Sequence, residues 1–200
     1  MIMHLVAEGY VEEVVASCLL PFCGHQLGTV NGKKGCEYVR RKAVMFRHLA
    51  THGDGVLVLT DFRDSKENCV PAALNEYVLR RMPSPPDAFL CRFAVNEIES
   101  WLLADREGLA KYIGIAVSRI PLQPEHELFP KRVLVNLARH SKKRLIREGI
   151  APPDGHQADV GPEYISLLSR FTKEFWNIEA AMNCAQSLER CVRRLRMLEK

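Results

Sequence analysis

Residues 56–60, Val-Leu-Val-Leu-Thr, follow Gly55 as an unbroken β-rich run. A strand with one wet face alternates apolar and polar residues. A strand without alternation is covered on both faces, as in the centre of a parallel sheet. Parallel strands need long crossovers, and the flanking sequence supplies them. Residues 2–7, Ile-Met-His-Leu-Val-Ala, form a second apolar run that ends at Glu8-Gly9. Val11, Val14, Val15, Cys18 and Leu19 then recur at helical spacing, with Pro21 closing the helix. Residues 23–36 hold four glycines and read as a loop with a short strand near 27–30. A helix with a basic face (Arg40, Arg41, Lys42, Arg47) is expected over 37–52, and another over 66–82, closed by a proline-rich turn at 83–86. Residues 88–95 supply a further strand.

From Asn96 the pattern changes to helices alone, over 96–104, 106–112, 130–147, 162–176 and 186–199. A loop rich in glycine and proline at 148–161 separates the last two from the rest. The prediction is therefore an α/β fold. A small central, mostly parallel sheet flanked by helices precedes an all-helical C-terminal part. The α/β core is assigned to 1–105, and a helical extension packed on it to 106–200.

With 47% hydrophobic residues, a chain of 200 residues can bury a substantial core. No apolar run approaches the roughly 18 residues that span a bilayer, so no membrane partner is expected. The net charge of +4 is unevenly spread. Residues 1–100 carry 11 Lys/Arg against 12 Asp/Glu, and residues 101–200 carry 17 against 12. That excess permits a phosphate-rich partner. The cysteines at 18, 23, 36, 69, 91, 184 and 191 show no C-x-x-C spacing. They read as reduced thiols of a cytoplasmic protein without a signal peptide.

In an open parallel sheet, ligands bind beyond the carboxyl ends of the strands. Glu8 stands at one such end, and Asp61 and Asp64 stand at another. Carboxylates brought together repel and raise each other's pKa. A hard divalent cation, Mg²⁺ or Mn²⁺, relieves that by taking oxygen ligands while keeping waters for a phosphate. Each residue alone is more readily read as a helix cap or a solvated loop acid, Asp64 above all; the metal reading rests on both strand ends together. On the helix after the last strand, Glu99 falls at the edge of the apolar face set by Val95, Ile98, Leu102 and Leu103, and Glu97 points away. A carboxylate drawn toward a core needs a partner or a metal, so Glu99 joins the candidate ligands.

Lys131, Arg132, Arg139, Lys142, Lys143, Arg144 and Arg147 occur with no acid between them. On one helix they would form a basic face able to neutralise nucleic-acid phosphates, or merely a solvated one. No zinc motif, Walker A loop or Gly-x-Ser-x-Gly elbow is present, and no cofactor-binding residues are assigned.

The segment Val6-Ala7-Glu8-Gly9-Tyr10-Val11-Glu12-Glu13 resembles the strand, Glu-Gly, helix opening of TOPRIM domains. Leu57-Val58-Leu59-Thr60-Asp61-Phe62-Arg63-Asp64 resembles their second acidic motif. Over nearly its whole length the chain resembles the TOPRIM-like family known as domain of unknown function 4276. Asn96-Glu97-Ile98-Glu99-Ser100-Trp101-Leu102-Leu103-Ala104-Asp105 is similar to that family's Glu-x-Trp-Leu-Leu-Ala-Asp signature. Gly161-Pro162-Glu163-Tyr164, Trp176, Ala180 and Gln186-Ser187-Leu188-Glu189-Arg190 match its C-terminal pattern. The resemblance implies a Rossmann-like TOPRIM domain in a bacterial, cytoplasmic protein. Glu8 would be its general acid/base or metal ligand, and Asp61 and Asp64 its Mg²⁺ ligands. One departure stands out: the usual Asp-x-Asp is here Asp61 and Asp64, and Arg63 occupies the acidic position. That arginine could pair with the carboxylates or touch phosphate.

Two functions follow as expectations. The first is a Mg²⁺-dependent phosphodiester hydrolase (a nuclease) with Glu8 and Asp61 catalytic. Its metal ligands would be Glu8, Asp61, Asp64 and Glu99. Nucleic acid would be held by Arg63, Lys131, Arg132, Arg139, Lys142, Lys143 and Arg144. The second is a non-catalytic module that binds a nucleotide or an operon-encoded protein partner in a defence or toxin-type system.

Overall fold

The computed structural model describes residues 1–51, 53–153 and 155–199. Four strands, β1 (Ile2–Ala7), β2 (Gln26–Gly32), β3 (Gly55–Asp61) and β4 (Phe89–Ala94), form one sheet in the order β2-β1-β3-β4. All three pairings are parallel, so the fold is α/β with a wholly parallel sheet. Every residue of β3 is buried, which is the physical reason its sequence shows no alternation. Because β1 is followed in sequence by β2 on one side and in space by β3 on the other, the chain reverses its direction of winding between β1 and β3. The carboxyl ends of these two neighbours flank the topological switch point, where open α/β sheets carry their ligands.

Helix α1 (Tyr10–Phe22) follows β1, and Pro21 sits inside its last turn rather than beyond it. Helix α2 (Cys36–Lys42) follows β2 and runs on as a 3-10 helix over Ala43–Thr51 instead of the single α-helix expected over 37–52. The helix expected over 66–82 is also shorter. Cys69 is extended and caps the helix, and Pro71 falls in the first turn, where its missing N–H costs nothing; α3 therefore begins at Val70 and ends at Leu74, and a π-turn continues it over Asn75–Leu79.

The chain divides into two compact units, one of residues 1–95 with 189–200 and one of residues 96–188. The boundary lies at Val95, whereas the sequence reading put it after Asp105, and the chain's last residues return to the first unit. His25 Nε2 donates to the Leu195 carbonyl at 2.9 Å, and the Arg196 guanidinium lies 4.7 Å from the Phe22 ring centre. These contacts explain the return of the tail: its apolar stripe and backbone complete the first unit. The core of that unit includes Val6, Val56, Val58, Tyr77 and Phe93, with Tyr77 and Phe93 edge to face at 5.3 Å.

The second unit is helical: α4 (Glu99–Ala104), α5 (Arg106–Ile113), α6 (Pro130–Arg139), α7 (Arg144–Ile150), α8 (Tyr164–Glu174) and α9 (Ile178–Met182), with the start of α10 (Gln186–Arg196). Asn96 has φ of +61° and so cannot be helical. Its amide donates to the Glu125 and Glu127 carbonyls, which delays α4 to Glu99. Trp101 is fully buried, and its indole N–H donates to Ser187 Oγ at 2.7 Å. One expected helix, 130–147, is two. The buried Ser141 hydroxyl donates to the Ile113 carbonyl at 2.5 Å and accepts from Lys143 N–H at 3.0 Å, so the chain turns at 140–143. Among the described residues, no helix is long and apolar enough to cross a membrane.

Candidate metal centre

Glu8, the first residue beyond β1, turns its side chain toward β3. Thr60 Oγ1 donates to Glu8 Oε2 at 2.6 Å, and Asp61 N–H donates to the same oxygen at 3.3 Å. Thr60 is fully buried, so its hydroxyl is a fixed donor at the switch point. The chain leaves β2 through Gly32 at φ +100°, where a Cβ would lie 2.1 Å from the Ala7 carbonyl oxygen. Only glycine fits so near β1. Lys33 N–H then donates to Ala7 O at 2.9 Å and Gly35 N–H to Glu8 O at 3.1 Å. These bonds tie the loop after β2 to the end of β1 and bring Cys36, the first residue of α2, toward Glu8. Asp64 arrives from the opposite side, on the short 3-10 turn Arg63–Ser65 after β3.

One ligand atom each from Glu8, Cys36 and Asp64 lies within 4.8 Å of the others. Glu8 and Cys36 are half-buried, and Asp64 is exposed. Burial pushes the Glu8 carboxyl above its usual range, and the neighbouring Asp64 adds to this; the bonds from Thr60 and Asp61 act the other way. Burial, then the charges of Glu8 and Asp64, push the Cys36 thiol up as well. The cluster thus joins two carboxylates to a thiol that burial keeps protonated. The two hard oxygen donors fit Mg²⁺ or Mn²⁺, whose other positions are filled by water. The sulfur contributes little to Mg²⁺ and would favour a softer ion.

Of the expected ligands, Glu8 and Asp64 come together. Asp61 is not in the group: it is 5% exposed and its backbone N–H serves Glu8. Cys36 was not singled out from sequence, where it was one of several reduced thiols. Its signal was positional, directly after the Gly-Lys-Lys-Gly turn that follows a strand. Arg63 is exposed on the same turn as Asp64.

Glu99 belongs to the second unit, as do Tyr164 and Lys131, which contact its carboxylate. Tyr164 Oη donates to Glu99 Oε1 at 2.7 Å, and Lys131 Nζ is 3.7 Å from that oxygen. The residue is 1% exposed, its Oε2 has no hydrogen-bond partner among the described residues, and burial pushes its carboxyl up despite Lys131 and Tyr164. Glu97 is also buried, contrary to the outward direction expected, because its carboxylate accepts from Lys131 N–H at 2.8 Å at the start of α6.

The basic residues are likewise individually placed. Arg132 lies over the Phe129 ring at 5.3 Å. Lys143 Nζ donates to the Lys111 and Tyr112 carbonyls at 2.9 and 2.7 Å, neutralising the end of α5. Lys142 is exposed. Arg144 shares its Nε–H between both Glu148 oxygens, and Arg139 lines a cavity with Arg144 and Arg147. Compared with protein-family models, curated proteins and solved structures, the chain matches none of them.

Proposed function

We propose that the protein is a TOPRIM-like, divalent-cation-dependent phosphodiester hydrolase of the cytoplasm, acting on nucleic acid. The observation that carries this reading is the approach of Glu8 and Asp64 at the switch point of a parallel sheet. Glu8 and Asp64 would hold Mg²⁺ or Mn²⁺. Such an ion, when bound, polarises a phosphate oxygen and makes water a better nucleophile. Burial raises the proton affinity of Glu8, the direction that suits a carboxylate taking a proton from water. Thr60 and the Asp61 N–H fix its orientation, and Arg63, exposed beside Asp64, is a cation suited to a phosphate oxygen.

A second reading, a non-catalytic module for a nucleotide or an operon-encoded partner, is favoured by one feature. The cluster contains a thiol where a third carboxylate was expected. Cleavage of plasmid DNA, single-stranded DNA and RNA with Mg²⁺ or Mn²⁺ separates the two, using wild type beside Glu8→Ala and Asp64→Ala. Hydrolysis lost in both variants supports the hydrolase. Intact cation binding by calorimetry with no hydrolysis of any substrate supports the module, and absence of both overturns the metal site itself.

A further inference from the structure

A straight helix over 130–147 would spread its basic side chains along one solvent-facing stripe. The turn at 140–143 folds them instead. Arg139, at the end of α6, and Arg144 and Arg147, on α7, line one cavity of about 630 Å³. That volume lies in the range of pockets that enclose small organic ligands. Its described lining includes these three guanidiniums and the Glu148 carboxylate.

The walls are built rather than incidental. Arg147 Nη1 donates to the Ser141 carbonyl at 2.8 Å, which orients its guanidinium. Arg144 Nε meets both Glu148 oxygens, at 2.9 and 3.0 Å, through a side chain that is 82% exposed. So exposed a pair is weak and gives way to a more highly charged ligand. The remaining wall is Pro152 and Pro153, a rigid apolar surface without N–H groups. The chain behind it is pinned where Gly161 N–H donates to the Ile150 carbonyl at 2.8 Å. A Cβ on Gly161 would lie 2.4 Å from the Gly149 oxygen and 2.7 Å from that of Ala151.

We propose that this cavity binds a phosphate ester of mononucleotide size, its phosphate held by Arg139, Arg144 and Arg147 and its ring against Pro152 and Pro153. Planar guanidiniums match phosphate oxygens in pairs. The proline wall gives a base an apolar face to lie on, and the volume is of the order that one nucleotide occupies. The ligand is either a free nucleotide or the phosphorylated end of a strand. The site is independent of the Glu8–Asp64 cluster.

Titration calorimetry of the full chain tests it with adenosine 5′-monophosphate, adenosine, and one short oligodeoxynucleotide with and without a 5′-phosphate. The monophosphate binds and adenosine does not. R139Q and R144Q each weaken binding by about tenfold, the loss of one charge-assisted contact. Both side chains are exposed, and thermal melts confirm that the variants stay folded. E8Q leaves the affinity unchanged, which separates this site from the metal centre. Competition by the 5′-phosphorylated strand alone assigns the ligand as a strand end; binding of the monophosphate without such competition assigns a free nucleotide. The proposal is overturned if neither phosphate ligand binds, if adenosine binds as tightly, or if the R139Q/R144Q double variant binds like wild type.

Discussion

Thr60→Val tests whether the switch point is organised around the ionised form of Glu8. The substitution keeps the shape of a fully buried side chain and deletes the hydroxyl that donates to Glu8 Oε2 at 2.6 Å. A hydrogen bond to a charged group contributes about 1.5–3 kcal/mol. Glu8 is half-buried rather than sealed, so solvent screening brings the expected loss to about 1–2 kcal/mol. The sign depends on pH. Thr60 favours the charged carboxylate, and its loss drives the Glu8 carboxyl still higher. Below the ordinary value of 4.5, Glu8 is protonated both folded and unfolded, and the variant matches wild type apart from packing. As pH rises through the raised folded value, wild type keeps a bond that the variant lacks, and the deficit grows to its full size. Urea denaturation from pH 4 to 9 measures it, and calorimetry at the alkaline end should show cation affinity about tenfold weaker, as for loss of a group supporting a ligand. A stability difference independent of pH, or an unchanged cation affinity, would refute the reasoning.

Two further outcomes follow from the same electrostatics. The raised folded pKa of Glu8 means that its favourable contribution is complete below 4.5 and is lost as pH rises through the folded value. Glu8→Gln escapes that loss, so its melting temperature relative to wild type should climb from pH 4 to 8, and added Mg²⁺ should narrow the gap by stabilising wild type alone. In the second unit, Tyr164→Phe removes the hydroxyl bonded to buried Glu99. The expected loss, about 1–3 kcal/mol for leaving a buried acceptor less satisfied, is checked by urea denaturation. A neutral result would mean that Glu99 is protonated and satisfied in another way.

What was legible in the sequence was whatever local periodicity determines. The run Val56 to Thr60 announced a strand covered on both faces, and β3 is buried throughout. Glu8 and Asp64 could be paired in advance because parallel strands put their carboxyl ends on one edge. The helix break at 140–143 was not legible. The apolar spacing lapses over residues 139–144, but a polar stretch does not by itself fix a turn, which depends on the Ser141 hydroxyl finding the carbonyl of Ile113, 28 residues earlier. Glu97 was misread for a related reason. Helical phase pointed it to solvent, but Asn96 at positive φ shifts the start of the helix, and the backbone N–H of Lys131 gives its carboxylate a partner.

Cys36 shows most directly why the site was only half readable. Its chemistry was visible as a thiol, but its place depends on three backbone facts: the close approach of Gly32 to Ala7, the bond from Gly35 to Glu8, and the start of α2 immediately afterwards. Together they set beside two carboxylates a sulfur that burial, and then the charges of Glu8 and Asp64, keep protonated. A protonated thiol adds no negative charge to the pair, whereas a third carboxylate in its place would add repulsion that only a bound cation could offset. The cluster can therefore persist without a metal more readily than a three-acid site could. Cation binding here should consequently be weaker and more dependent on pH than an all-carboxylate constellation would give, because occupancy by a sulfur-preferring ion requires the thiol proton to leave first.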